Sequence, residues 1–124
     1  MELTLTEAFQ KGVEAHRTGE VHEADRYYTA ILKAQPKHPD ANHNMGVLAV
    51  EVGKINEGLP FFKTAVDVSP NRLQFWLSYI RAFLKLDRID DARTVFEQAK
   101  RSGANGNAFD DLGKRLDEWS SSTD

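Results

Sequence analysis

Residues 39–72 read PDANHNMGVLAVEVGKINEGLPFFKTAVDVSPNR. Apolar residues recur three and four apart on both sides of Gly53, a spacing that puts them on one face of each of two helices of roughly 14 residues. Gly53 breaks the first helix and Ser69-Pro70 stops the second. Shifting the chain by 34 residues superimposes Gly12 on Gly46, Gly19 on Gly53 and Pro36 on Pro70. The same shift aligns Ala24 with Gly58 and Ala92, Tyr28 with Phe62 and Phe96, and Val21 with Ile55 and Ile89. The chain therefore divides into units at 5–38, 39–72 and 73–106. One such hairpin cannot bury its own apolar face, so its neighbours must cover it.

The ends of the helices are written locally. Thr4 with Glu7 predicts a capping box at the first helix start, and Gly19 predicts its end, since glycine takes the left-handed conformation without a Cβ clash. Pro60 is expected in the first turn of its helix, after an Asn56 cap, where no amide bond is lost. Gly58 beside it reads as a loose point, glycine costing about 1 kcal/mol against alanine inside a helix. The third unit departs from the pattern. Asp87 stands at the turn glycine, a position Asp tolerates better than most residues, and Tyr79-Ile80 replaces Met45-Gly46. With Ile80 where glycine lets two helices approach, the third hairpin is expected to splay or its neighbours to rearrange. After the turn cluster 103–106, Phe109, Leu112, Leu116 and Trp119 predict a capping helix over 107–119, with polar residues outward. Residues 120–124 read as a disordered polar tail.

The 124 residues fit one compact domain, with ordinary proportions of 40% hydrophobic and 28% charged residues. Without cysteine there is no disulfide, thiol nucleophile, iron–sulfur cluster or thiolate zinc site. A net charge of -3 and a pI near 5.8 argue against a nucleic-acid module, which needs a basic stripe to neutralise phosphates. Neither a secretory signal nor an apolar run of membrane-spanning length is visible, and a cytoplasmic setting is expected.

The residues resemble the tetratricopeptide repeat family. Its pattern is met by Met45-Gly46, Gly53, Phe62, Ala65 and Pro70 in the middle unit, with Gly58 in place of Ala, and by Gly12, Gly19, Ala24, Tyr28 and Pro36 in the first. The resemblance implies an all-α, right-handed α-solenoid of three helix-turn-helix units plus a C-terminal capping helix. The wording of 41–66 and 74–100 is also similar to N-terminal repeat segments of large bacterial proteins, where such units often precede a glycosyltransferase-like or sulfotransferase-like domain.

In that family the first helices of successive units line a concave groove. Carried over by position, the groove takes Phe9, Gln10, Val13, His16 and Arg17 from the first unit, and Asp40, His43, Asn44, Val47, Val50 and Glu51 from the second. The third gives Leu77, Ser78, Arg81, Leu84 and Lys85. Phe9, Val13, Val47, Val50, Leu77 and Leu84 would form an apolar stripe on an exposed face, the mark of a binding site. Gln10, Asn44 and Ser78 occupy one equivalent place. As a ladder they suit an extended peptide backbone; alternatively they solvate their own helices, the simpler reading for Ser78. The groove charges Arg17, Arg81 and Lys85 against Asp40 and Glu51 sum to +1, too little to specify an acidic ligand. Family members that clamp a chaperone's C-terminal carboxylate use Lys, Asn and Arg at places held here by Phe9, Val13, Asn44, Gln74 and Ser78. Only Asn44 matches, which argues against that specialisation.

Catalytic patterns are missing. His22-Glu23 has Arg26 where a zinc-protease helix needs its second His. His38, Asp40 and His43 are ordinary surface types at a turn, and Asp90-Asp91 suits a helix start. No phosphate loop, nucleophile elbow or paired catalytic carboxylates occur. The expectation is a non-enzymatic scaffold, with no cofactor or metal and no nucleic-acid or membrane partner, binding a peptide or helix of a partner protein in its groove. The rival readings are a self-associating structural homo-oligomer and an accessory segment of a larger enzyme.

Overall fold

The computed structural model describes residues 3–122, with side chains as far as Trp119. Among the described residues seven helices follow one another: α1 (Leu5–Arg17), α2 (Val21–Ala34), α3 (Pro39–Glu51), α4 (Ile55–Val68), α5 (Leu73–Lys85), α6 (Ile89–Arg101) and α7 (Asn107–Ser122). There is no strand among the described residues. Close packing gathers the helices into two compact units, Met1–Val68 and Ser69–Asp124, so the break falls where α4 ends. No helix among the described residues is long and apolar enough to cross a membrane.

The first unit holds two hairpins, α1–α2 and α3–α4, with α2 packed on α3. At the start of α1 the predicted box is complete: the Glu7 amide donates to Thr4 Oγ1 at 3.0 Å and the Thr4 amide to Glu7 Oε1 at 3.1 Å. Each hairpin turns on a glycine in the left-handed region, Gly19 and Gly53, both at φ 81°. Above the turns the hairpins close on small residues. A Cβ at Gly12 would lie 2.8 Å from the Tyr28 ring, and one at Gly46 would lie 2.6 Å from the Phe62 ring. Tyr28 and Phe62 are 0% and 1% exposed, so each fills the slot its glycine leaves. Around them Ala15, Ala24, Met45 and Leu48 form one cluster and Ala8, Ile31 and Ala41 another, with Phe9 and Leu32 against both.

Two readings of α4 are corrected. Its first residue is Ile55, and the Glu57 and Gly58 amides both donate to the Lys54 carbonyl. Asn56 is therefore inside the helix rather than its cap. Pro60 is the sixth residue, beyond the first turn, and its missing N–H leaves the Asn56 carbonyl without that bond. Gly58 is buried, and a Cβ on it would sit 3.0 Å from the Gly46 carbonyl and 3.1 Å from Ala49 Cβ. It is a place where α4 lies close against α3, not a loose point: what glycine costs in helix propensity it returns in proximity.

The second unit is built on α5, which buries Phe75, Trp76, Leu77, Tyr79, Ile80, Ala82, Phe83 and Leu84. Asp87 takes the turn in the left-handed region at φ 57°, as expected for that residue type. Ile80 leaves no slot for the aromatic of α6, and that aromatic is used elsewhere. Phe96 stacks on Phe109 of α7, rings 4.2 Å apart and 6° from parallel. A Cβ at Gly113 would come within 2.8 Å of it. The neighbouring helix thus supplies the glycine that the hairpin lacks. Arg93 adds a hydrogen bond to the Leu116 carbonyl at 3.4 Å. Helix α7 continues through Ser122, so residues 120–122 belong to its last turn rather than to a disordered tail, extension of a formed helix being far easier than nucleation. Residues 123–124 lie outside the described residues.

At the junctions between repeats, the proline that ends one is gripped by the next. Asn42 Nδ2 donates to the Pro36 carbonyl at 3.0 Å, and Trp76 Nε1 donates to the Pro70 carbonyl at 2.8 Å. The two donors are 34 residues apart, as are the two acceptors.

Candidate functional site

The first unit brings its predicted groove residues together on the facing sides of α1 and α3. His16, near the end of α1, joins the two helices: its Nε2 lies 2.6 Å from Glu51 Oε1 on α3. Its Nδ1 lies 3.1 Å from the Tyr28 hydroxyl, which reaches in from α2. That hydroxyl accepts a long bond from Asn44 Nδ2 at 3.5 Å, and Asn44 Oδ1 is 3.2 Å from His43 Nδ1. Five side chains from three helices thus form one run of polar contacts, Glu51–His16–Tyr28–Asn44–His43. Burial pushes the Tyr28 phenol above its ordinary range; the Asn44 amide works against this and the nearby Glu51 carboxylate adds to it.

The apolar residues of this face are partly open. Val13 is 38% exposed, while Phe9, Val47 and Val50 are half-buried. Phe9 is tied inward, its ring 6.2 Å from that of Tyr28 and 5.6 Å from that of His38. Gln10 and Arg17 are exposed, Arg17 Nε donating to Glu14 Oε2 at 3.1 Å along its own helix. That pairing holds the Glu14 carboxyl below its ordinary range. His43 is buried instead of lining an open groove, with its ring 5.9 Å from that of Phe62. His38 caps α3, its Nδ1 accepting the Ala41 amide at 3.0 Å. Among the described residues no group of three or more His, Asp or Glu is arranged to hold a metal ion.

In the second unit the expected stripe is not open. Leu77 and Leu84 are 4% and 7% exposed. Helix α5 is apolar nearly all round, and such a helix buries more than one face. Arg81 and Lys85 are exposed and Ser78 is half-buried. Gln74 Nε2 donates to Ser78 Oγ at 3.4 Å, so this rung of the ladder bonds within its own helix.

Tyr28 is the member of the site that the groove positions miss, because it belongs to a second helix. The signal was present: Phe62 and Phe96 stand at the equivalent places, and a hydroxyl on a fully buried ring demands a partner.

The model of a family described as tetratricopeptide repeat matches residues 49–116, more than half of the chain. No curated protein matches significantly. Solved structures do. The TPR2B domain of yeast Sti1, in a pHsp70 complex, is 16% identical with a TM-score of 0.81, covering 93% of this chain and 97% of that one. The Sgt2 TPR domain from Aspergillus fumigatus is 16% identical with a TM-score of 0.83, over 96% of this chain and 80% of that one. The first TPR of Spaghetti (RPAP3), bound to the HSP90 peptide SRMEEVD, is 16% identical with a TM-score of 0.82, covering 94% and 93%. At such identities the likeness is one of fold.

Proposed function

The chain belongs to the tetratricopeptide repeat family, and from that premise we propose that it is a non-catalytic scaffold that binds an extended peptide of a partner protein against α1 and α3. The observation that carries the reading is the exposure of Val13, 38% for a valine whose face also bears the half-buried Val47, Val50 and Asn44. Apolar side chains beside an amide that can both donate and accept suit a main chain with small apolar side groups. The neighbours of known structure that hold chaperone peptides support the class of ligand. Their ligand is not carried over, because Phe9, Gln74 and Ser78 stand where the carboxylate-clamping members of the family place cations, and Val13 where they place an asparagine.

The test is calorimetry with a peptide selected from a random library against the full chain. Val47→Glu and Asn44→Ala, in variants that keep their helical spectrum, are each expected to weaken binding by about tenfold, roughly 1.4 kcal/mol. SRMEEVD is expected not to bind. Unchanged affinity in both variants, or recovery of no peptide at all, would overturn the reading.

A further inference from the structure

The run of contacts on the α1/α3 face has a direction. An ionised carboxylate can only accept, so His16 Nε2, 2.6 Å from Glu51, carries a hydrogen. In the neutral ring Nδ1 is then an acceptor, and the Tyr28 hydroxyl, 3.1 Å away, donates to it. Having turned its hydrogen to His16, the Tyr28 oxygen accepts from Asn44 Nδ2, which leaves Asn44 Oδ1 to accept from His43 Nδ1–H. All four bonds point the same way, from His43 to Glu51.

We propose that Tyr28 is the positioning residue of this face: its hydroxyl, oriented by His16, fixes which end of the Asn44 amide meets a bound main chain, and a proton on His16 turns that amide round. The proposal rests on the peptide-binding reading only for what the amide is used for. A doubly protonated imidazole has no acceptor. Taking up a proton at Nδ1, His16 becomes a donor to the Tyr28 oxygen, and the phenolic hydrogen, still on Tyr28, turns toward Asn44. The amide then rotates so that Oδ1 accepts from Tyr28 and Nδ2 donates to His43, whose own hydrogen passes to Nε2 by exchange with water. Donor and acceptor change places, and with them the register in which a peptide backbone fits. The titratable and charged groups facing His16 are Tyr28 from α2 and Glu51 from α3; on α1 itself Glu14 and Arg17 are bonded to each other. Asn44 and, from α4, the Phe62 ring are among the groups that His43 meets.

The decisive variant is Tyr28→Phe, which the protein itself makes credible: Phe62 fills the equivalent slot over Gly46. Side-chain amide NMR of Asn44, read against the ring signals of both histidines across pH, needs no ligand. In the wild type the Asn44 signals are expected to move with the His16 midpoint. In Tyr28→Phe that step is expected to vanish, leaving only one that follows His43. His16→Gln, which keeps a donor for Glu51 but does not titrate, is expected to abolish it as well, and serves if the tyrosine variant fails to fold. An Asn44 response at the His16 midpoint that persists in Tyr28→Phe, or is missing from the wild type, overturns the proposal. A library that yields no peptide removes the binding reading and leaves this result standing. With a selected peptide, Tyr28→Phe is expected to weaken binding by about fivefold to tenfold at neutral pH, and an unchanged affinity counts against the positioning role.

Discussion

Replacing Gly46 by alanine adds one carbon at the tightest point of the α3–α4 hairpin. The new Cβ would meet three atoms of the Phe62 ring at 2.6, 2.8 and 2.8 Å, where contact normally begins near 3.4 Å. The ring is 1% exposed, and α4 is held close by Gly58 against the Gly46 carbonyl, so neither partner can retreat without opening the hairpin. Overpacking of this kind costs about 1–3 kcal/mol. Against it stands the helix propensity of alanine, better than glycine by about 1 kcal/mol. The clash is with a buried ring, so its cost belongs in the upper part of that range, and the net loss is expected at about 1–2 kcal/mol. Urea unfolding with an unchanged slope measures it. The double variant Gly46→Ala with Phe62→Leu separates the terms: with the ring gone, the alanine is expected to become neutral or stabilising. If Gly46→Ala alone is as stable as the wild type, the argument from close approach fails. The chain already contains the extreme substitution, since Ile80 occupies this place in the third hairpin, and there Phe96 has left for Phe109 and Gly113.

Two further predictions concern a helix start and a helix interior. The Thr4 amide, and then its hydroxyl, hold the Glu7 carboxyl below its ordinary value. Its contribution to α1 is thus full above the ordinary glutamate range and is lost as pH falls through the lowered value, so the difference in helicity between wild type and Glu7→Gln, followed by circular dichroism, is expected to close in acid. A gap that stays constant with pH would remove the carboxylate from the account. Pro60→Ala restores an amide opposite the Asn56 carbonyl. The gain, up to about 3 kcal/mol, is reduced by about 0.4–1 kcal/mol of unfolded-state freedom, and the variant is expected to be more stable by about 1–2 kcal/mol in urea; a loss of stability would contradict it.

The repeat was legible because it is written in residues whose constraints are local. Gly19, Gly53 and Asp87 mark turns that need a positive φ, and Thr4 with Glu7 marks a start. What escaped depended on contact across helices. Gly58 looks like a weakness in any window of its own helix and becomes a contact only when α3 is laid beside it. Pro60 was misplaced because the start of α4 rests on the Lys54 carbonyl, a main-chain bond that no side chain announces. In the candidate site, the family's groove positions put Leu77 and Leu84 on an open stripe, yet α5 is too apolar on every side for one face to stay free. His16 and Asn44 were found by position alone. Their link required Tyr28, whose hydroxyl is the one atom that distinguishes it from the phenylalanines of the other repeats.

The grip on the terminal prolines has a consequence for how such a chain can change. Asn42 and Trp76 share neither size nor aromaticity; they share one N–H within reach of the same carbonyl. The junction therefore constrains a bond and leaves the residue free, so a profile that looks for tryptophan there would pass over Asn42. A 34-residue segment that brings its own donor and its own proline carries both halves of its coupling. At both places the donor lies six residues beyond the carbonyl it holds, so the bond is written within a single turn of chain and needs nothing from elsewhere in the fold.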